Sequence, residues 1–267
     1  MNKAEQAWRE LASIDELVTQ ESPLHRMHPA GKLFLAVLFL MLTVSFPKYD
    51  FTGLFFYILF PVVGYQVAGI PMRSCFRKLR MLLPFLCAVG IWNPLLDRTI
   101  LMKIGSVELS GGVISMITLM GKGILCLLAS FLLAATTSVG DICYVLRKIH
   151  CPKLLVTLFL LTYRYLTVFL REVAVMTESY HLRAPGQKGI HPRAWGSFLG
   201  QLLLRTIDRG QALYESMLLR GYDGEFPIAK AEQTGRGELS VVIIVAVLLL
   251  VSRVCPVTEL LGSIFVG

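Results

Sequence analysis

Two arginines in this chain stand just ahead of residues that stop a helix: Arg183 in "HLRAPG" and Arg220 in "LLRGYDG". Pro185 keeps Ala184 out of the helical region, Gly186 permits a left-handed turn, and Gly221 occupies the place where a helix-ending glycine is expected. An arginine at a helix C-terminus complements the dipole, for about 0.3–1 kcal/mol, and needs no partner for that. Two of them, ending the two longest polar helices of a greasy chain, suggest something further. A guanidinium is planar, always charged and carries five donors. On a stiff helical post it suits an acidic groove in another protein, where a bidentate carboxylate pair can form. Two posts imply two grooves, hence a partner that comes as a pair.

Other residues with chemical potential give less. His25 and His28 in "LHRMHP" are i, i+3 neighbours. Imidazole suits nickel and cobalt, but no third ligand lies nearby, so capping or interface roles are expected and no metal is assigned. His150 beside Cys151 is read the same way. Lys122 falls inside a long apolar run, where an ionisable group is expensive and normally faces a partner or a cavity. It is expected either to meet a partner within the membrane or to sit shallow enough to reach the outer surface. The six cysteines (Cys75, Cys87, Cys126, Cys143, Cys151 and Cys255) show no CxxC pair and no zinc-ribbon spacing. They read as ordinary buried or lipid-facing thiols. "PAGKLF" and "MGKGIL" each hold Gly-Lys without the upstream glycine and following Ser/Thr of a phosphate-binding loop. The chain is therefore expected to be no enzyme, with no cofactor of its own. H-E-x-x-H and G-x-S-x-G are absent too, as are paired intramembrane carboxylates. Asp208, Arg209 and Glu215 are expected on a solvent face, while Asp223 and Glu225 follow the second arginine.

The elements that carry these residues follow from composition. Of 267 residues, 55% are hydrophobic and only 16% charged, and the mean hydropathy is +0.63. Soluble domains run nearer 25% charged, so a polytopic membrane protein is expected. The formal charge of +8 then reports topology, and nucleic acid is not the expected partner. Five crossings are predicted, at Pro29–Phe46, Phe51–Ile70, Met81–Leu96 (interrupted by Pro84 and Pro94), Gly111–Thr136 and Leu239–Val254. Arg73, Arg77, Lys78 and Arg80 follow the second with no acid nearby, which places that loop and the N-terminus in the cytoplasm. "KIGSVELSGG" in the outer loop predicts a small hairpin or irregular cap.

The apolar stretch 153–170 resembles another crossing. Counting it as one would put the nine Lys and Arg of 171–236 outside and Arg164 at the bilayer centre. It is read instead as interfacial or partly embedded. The organisation is thus a cytoplasmic N-terminal segment (1–28), a membrane domain (29–140), a cytoplasmic block (141–237) and a final crossing with its tail (238–267). Within the block, a short helix capped by Asp141 precedes one from Lys153 to Arg183 and a third from Pro192 to Arg220. Leu199, Leu203, Thr206 or Ile207, Gly210, Leu213 or Tyr214, and Met217 recur at helical spacing and predict a buried stripe. Gly196, Gly200 and Gly210 either admit a crossing helix or merely loosen their own.

"ESPLHRMHPAGKLF", "LTYRYLTVFLREV" and "LLLRTIDRGQALYESMLLRGYDGEF" resemble the T component of energy-coupling-factor transporters, in the CbiQ type associated with cobalt or nickel uptake. The resemblance covers Ser13 to Phe226. It implies a scaffold in the cell membrane that joins two ABC-type ATPase subunits, which bind ATP and magnesium, to a membrane substrate-binding S component. It also implies paired Ala-Arg-Gly motifs whose arginines dock into the ATPases. Here the second motif is Leu219-Arg220-Gly221. The first departs further, with Arg183 and Gly186 separated by Ala184-Pro185. The expected protein is an all-α integral membrane protein with about five transmembrane helices and a coupling platform of two long helices and one short. The alternative, a stand-alone channel or secondary transporter, needs polar-lined crossings or repeated halves with broken helices. Lys122 and the interrupted third crossing are the features that point that way.

Overall fold

The computed structural model describes Val18 and residues 22–47, 51–70, 79–80, 83–92, 100–104, 107–187, 189–224 and 236–254. The predicted arginine cluster at 73–78, Pro94, Cys75, Cys255 and Glu225 lie outside the described residues. In chain order the elements are α1 (Pro23–Arg26), α2 (Pro29–Val44), α3 (Phe51–Tyr57), α4 (Leu59–Ala68), α5 (Leu83–Trp92), β1 (Ile100–Ile104), β2 (Val107–Ser110), α6 (Gly111–Thr136), α7 (Val139–Lys148), α8 (Lys153–Arg183), α9 (Trp195–Leu219) and α10 (Arg236–Val254). A single 3-10 turn, Pro192–Ala194, leads into α9. The architecture is that of an all-α membrane protein, with α6 and α8 each long and apolar enough to cross a bilayer and α2, α5 and the Gly53–Ala68 stretch shorter but apolar. β1 and β2 form a small antiparallel hairpin where a hairpin or irregular cap was expected, with Ile104 paired to Val107.

The described residues divide into two compact units: 138–224, and 22–137 with 236–254. In the second, α2 packs on α6 and on α10, while α3 and α4 also lie against α6. One buried cluster joins Phe39, Phe46, Leu54, Tyr57, Leu125, Ala129 and Leu249. Its rings interlock: Phe39 stacks on Phe60 at 4.6 Å and Phe46 meets Tyr57 edge-on at 4.8 Å. The Tyr57 hydroxyl donates to the Leu249 carbonyl at 2.9 Å and the Tyr65 hydroxyl to that of Leu128 at 3.0 Å. Helical carbonyls keep a second lone pair, so each bond ties two helices without breaking either ladder. At Gly64 a Cβ would meet the end of the Leu132 side chain, so a larger residue there would require Leu132 to shift. Met41 and Phe85 point outward, as a hydrocarbon surround allows.

The second predicted crossing is not one uninterrupted helix. It breaks at Ile58 between α3 and α4. Pro61 lacks the N–H that would bond the Tyr57 carbonyl one turn back, which is the ordinary cause of such a break. Pro84 lies in the first described turn of α5 and does not interrupt it.

Lys122, expected to meet a partner within the membrane or to reach the outer surface, has acceptors within this chain. Its ammonium donates to the carbonyls of Phe46 (2.5 Å) and Val44 (3.4 Å), at the C-terminal end of α2. Arg253 of α10 reaches the same place, donating to the Ser45 carbonyl at 2.9 Å with its guanidinium 4.3 Å over the Phe46 ring. At the opposite end of the pair, Lys32 in the first turn of α2 is buried and donates to the Thr136 carbonyl at 2.8 Å and that of His25 at 3.1 Å. Each of two antiparallel helices therefore supplies a lysine to the unpaired carbonyls that end the other. His25 adds to this seal. Its Nε2 lies 3.2 Å from the Ala135 carbonyl, and its Nδ1 lies 2.6 Å from the Ser22 hydroxyl. Because a carbonyl only accepts, Nε2 carries the proton of that bond. His28 caps α2, its Nδ1 accepting from the Ala30 N–H at 3.1 Å. Both histidines thus cap helices, and no three potential metal ligands gather among the described residues.

In the other unit, α7 folds back on the start of α8 and buries Cys143, Val145 and Val156. Ser138, rather than Asp141, caps α7. The Ser138 hydroxyl accepts from the Asp141 N–H at 3.0 Å and donates to the Asp141 carboxylate at 2.7 Å, so Asp141 sits three positions inside. The helix ends in a Schellman turn, with the His150 N–H on the Arg147 carbonyl (3.2 Å) and that of Cys151 on Leu146 (3.1 Å). His150 occupies the left-handed position, φ 66°, where glycine is usual. Burial pushes the Cys143 thiol's pKa upward. Cys87, Cys126, Cys143 and Cys151 are all free.

Two measurements follow. Lys32→Met and Lys122→Met each leave helix-end carbonyls unpaired and are expected to lower unfolding stability by about 1–3 kcal/mol, read as a loss of melting temperature in mild detergent. His150→Gly relieves a left-handed side chain and is expected to raise stability by about 1 kcal/mol, in the same assay.

Candidate functional site

The site is built on α8 and α9. At about 1.5 Å per residue the 31 residues of α8 make a rod of roughly 46 Å and the 25 of α9 one of roughly 37 Å. They touch along one stretch. A cleft of about 600 Å³ is lined by Leu161, Tyr165 and Phe169 from α8 and by Thr206, Arg209 and Leu213 from α9. Glu172 and Arg205 form an ion pair at its edge. As the chain advances from His191 to Arg205, its contacts on α8 retreat from Tyr180 to Glu172, so the rods are antiparallel.

That geometry separates the two arginines. From the ion pair, Arg183 lies about 16 Å along α8 in one direction and Arg220 about 22 Å along α9 in the other. Both side chains are exposed, and neither guanidinium has a partner among the described residues. Beside each stands an unusually bare leucine, Leu182 at 78% and Leu219 at 90% exposure.

Each tip is locally rigid, by different means. After α9 the Gly221 N–H bonds the Leu218 carbonyl (2.9 Å) and the Tyr222 N–H bonds that of Met217 (3.0 Å). This is a Schellman turn with Gly221 left-handed at φ 78°. After α8, Ala184-Pro185-Gly186-Gln187 forms a turn with Gly186 at φ 95°, closed by the Gln187 N–H on the Ala184 carbonyl at 3.4 Å. Tyr180 holds the chain beyond it. Its hydroxyl donates to the Gln187 side chain at 3.0 Å and accepts from the His191 N–H at 3.2 Å. Arg183 is the last residue of its helix, whereas Arg220 is the cap of its own.

The predicted stripe of α9 is not buried. Leu199, Leu203, Ile207 and Tyr214 are each about half exposed or more, and Leu202 is the buried residue of the helix. No described helix of this chain crosses at Gly196, Gly200 or Gly210, for a Cβ built on any of them meets nothing within 4 Å. Gly210 lines the cleft, but the rods meet through the larger side chains around it. Asp208 and Arg209 are exposed, as expected of a solvent face, and border that cleft as well. Sequence reading missed the Glu172–Arg205 pair and the Tyr180 anchor. The one available signal was Glu172 itself, the first acid after a run from Ile142 to Arg171 that has none.

A family model described as cobalt transport protein, CbiQ, matches residues 20–230, which span both arms and most of the membrane unit. The chain belongs to the CbiQ family. Among curated relatives, an uncharacterized protein of Methanocaldococcus jannaschii is 24% identical over 73% of this chain and 69% of its own length. A putative fused cobalt transport protein CbiMQ of Methanocorpusculum labreanum is 29% identical over 38% of this chain and 17% of its own. The nickel permease LarQ of Lactiplantibacillus plantarum is 28% identical over 38% of this chain and 36% of its own. The alignments thus span well under half of the CbiMQ and LarQ relatives. Membership of that family gives the chain a transport role in a membrane, and the resemblance noted in its motifs holds.

Tyr180→Phe removes both bonds that anchor the turn after Arg183. Amide exchange at Gln187 and His191 is expected to rise several-fold, about one hydrogen bond's worth, in hydrogen–deuterium exchange of the detergent-solubilised chain.

Proposed function

We propose that this protein is the scaffold subunit of an ATP-driven energy-coupling-factor importer for cobalt or nickel ions. The observation that carries the reading is a pair of exposed arginines at opposite ends of an antiparallel rod pair, each on a rigid helix stop. Two ABC-type ATPase subunits, which hold the ATP and magnesium, receive Arg183 and Arg220 in acidic grooves. A guanidinium in such a groove makes a charge-assisted, two-pronged pair with a carboxylate. Gly186 and Gly221 set the angle of each post.

When ATP draws the ATPases together, the tips are displaced and the rods turn about the cleft near Glu172 and Arg205. Shear and rotation of packed helices are common ways of transmitting a conformational change. The motion passes to a membrane substrate-binding S component, CbiM-like, as the family resemblance implies. The exposed apolar row of α9 gives such a subunit a surface to bind, since large bare apolar patches mark interaction sites. The N-terminus and both arms lie in the cytoplasm, with about five helices crossing the cell membrane. The metal ion is cargo held by the partner, in keeping with the capping roles of His25 and His28.

Charge reversal of both arginines, Arg183→Glu with Arg220→Glu, is expected to abolish co-purification of the ATPase subunits in mild detergent. Arg220→Ala alone is expected to weaken it ten-fold or more, at about 2–5 kcal/mol for truncating one side of a desolvated pair. Full retention of both ATPases by the double variant would remove the basis of the reading.

A further inference from the structure

The stretch from Ile142 to Arg171 contains no aspartate or glutamate and carries Arg147, Lys148, His150, Lys153, Arg164 and Arg171. Lys148 and Lys153 flank His150 at the elbow between α7 and α8, and all three are exposed. Bare apolar side chains alternate with them: Ile149 is 66% exposed, Leu154 72% and Leu158 61%. The Schellman turn at His150 and the rigid φ of Pro152 fix how the elbow presents these groups.

Cations and bare aliphatic groups on one surface match a particular solvent, the boundary between lipid headgroups and acyl chains. Basic side chains there meet phosphate, aliphatic ones reach the upper chains, and lysine stems span the two. Position in the chain agrees. α7 begins three residues after α6 ends, and the end of a bilayer-crossing helix marks the edge of the hydrocarbon. The absence of any acid across 142–171 favours anionic over zwitterionic headgroups.

We propose that the α7–α8 elbow is a binding site for anionic phospholipid, with Lys148, His150 and Lys153 on the headgroup and Ile149 and Leu154 among the upper acyl chains. The site serves to hold the base of α8 against the bilayer while its far end moves. It stands apart from the assignment of Arg183 and Arg220 to ATPases, because none of its residues lies at either tip.

The test uses the full chain reconstituted in mixed vesicles of phosphatidylcholine and phosphatidylglycerol. The protein is extracted in mild detergent, and native mass spectrometry counts the lipid that stays bound. Wild type is expected to retain phosphatidylglycerol in preference to phosphatidylcholine. K148E/K153E is expected to lose that preference more than ten-fold, at roughly five-fold per lysine, while K148R/K153R keeps it. R193E, a charge change elsewhere on the same unit, is expected to leave it unaltered. Should K148E/K153E not fold, K148Q/K153Q makes the same comparison with a several-fold loss. Equal retention of the two lipids by wild type overturns the proposal. So does a preference untouched by the lysine variants, or one lost equally in R193E, which would assign it to overall charge. Co-purification of ATPases, measured on the same variants, is expected to persist.

Discussion

A helix that ends inside a membrane protein leaves carbonyls with no water to bond, and the membrane unit is organised around that constraint. α2 and α6 run antiparallel, so the start of α2 lies beside the end of α6 and the end of α2 beside the middle of α6. Lys32 from the first turn of α2 seals the end of α6, and Lys122 from within α6 seals the end of α2. The two contacts fix the axial register of the pair, because sliding either helix by a turn would strand both ammonium groups and both sets of carbonyls. Lys122 lies mid-helix only because α6 has 26 residues and α2 has 16. With the register set, the ring layer of Phe39, Phe46 and Tyr57 closes over it. Tyr57 then reaches the Leu249 carbonyl and locks α10 in place. Arg253 completes the same seal from α10, which makes the final helix part of the bundle.

The unit that carries the arginines is built on another principle. It buries little: Cys143, Val145, Val156 and Leu202 are its buried apolar residues among those described. Its stiffness comes from the length of two helices and from the way they stop. A Schellman turn at Gly221 and a Pro-Gly turn anchored by Tyr180 hold each tip without any core beneath it. A frame of that kind transmits displacement well and stabilises itself poorly, so it suits a part whose remaining contacts come from other chains. The bare leucines beside both arginines and the open row on α9 agree with this.

The two units also use charge differently. In the bundle Lys32 and Lys122 both meet helix-end carbonyls. On the arms the guanidinium groups of Arg183 and Arg220 meet nothing among the described residues. Residues of one chemical class are structural where backbone acceptors are left unpaired, and available where every acceptor already lies within a helix.

Hydropathy and stop signals marked much of the architecture in advance. Gly111–Thr136 and the limits of α8 and α9 were legible because long apolar runs, Pro185 and Gly221 act within a few residues of themselves. The family motifs were legible for the same reason. Lys122, the α9 stripe and the glycines were not, because their roles depend on what stands opposite them. An intramembrane lysine looks the same in sequence whether it faces a partner, a cavity or a neighbouring helix end. An apolar row at helical spacing says that a face wants cover, without saying whether this chain supplies it. Sequence alone determined the element types, their stops and the family, through local backbone preferences and composition. Only the tertiary structure decided that the lysines pair with the ends of antiparallel neighbours, and that the arms meet at Glu172 and Arg205 rather than along glycines. Those contacts join residues 33 to 104 positions apart, and nothing in the intervening chain encodes them locally.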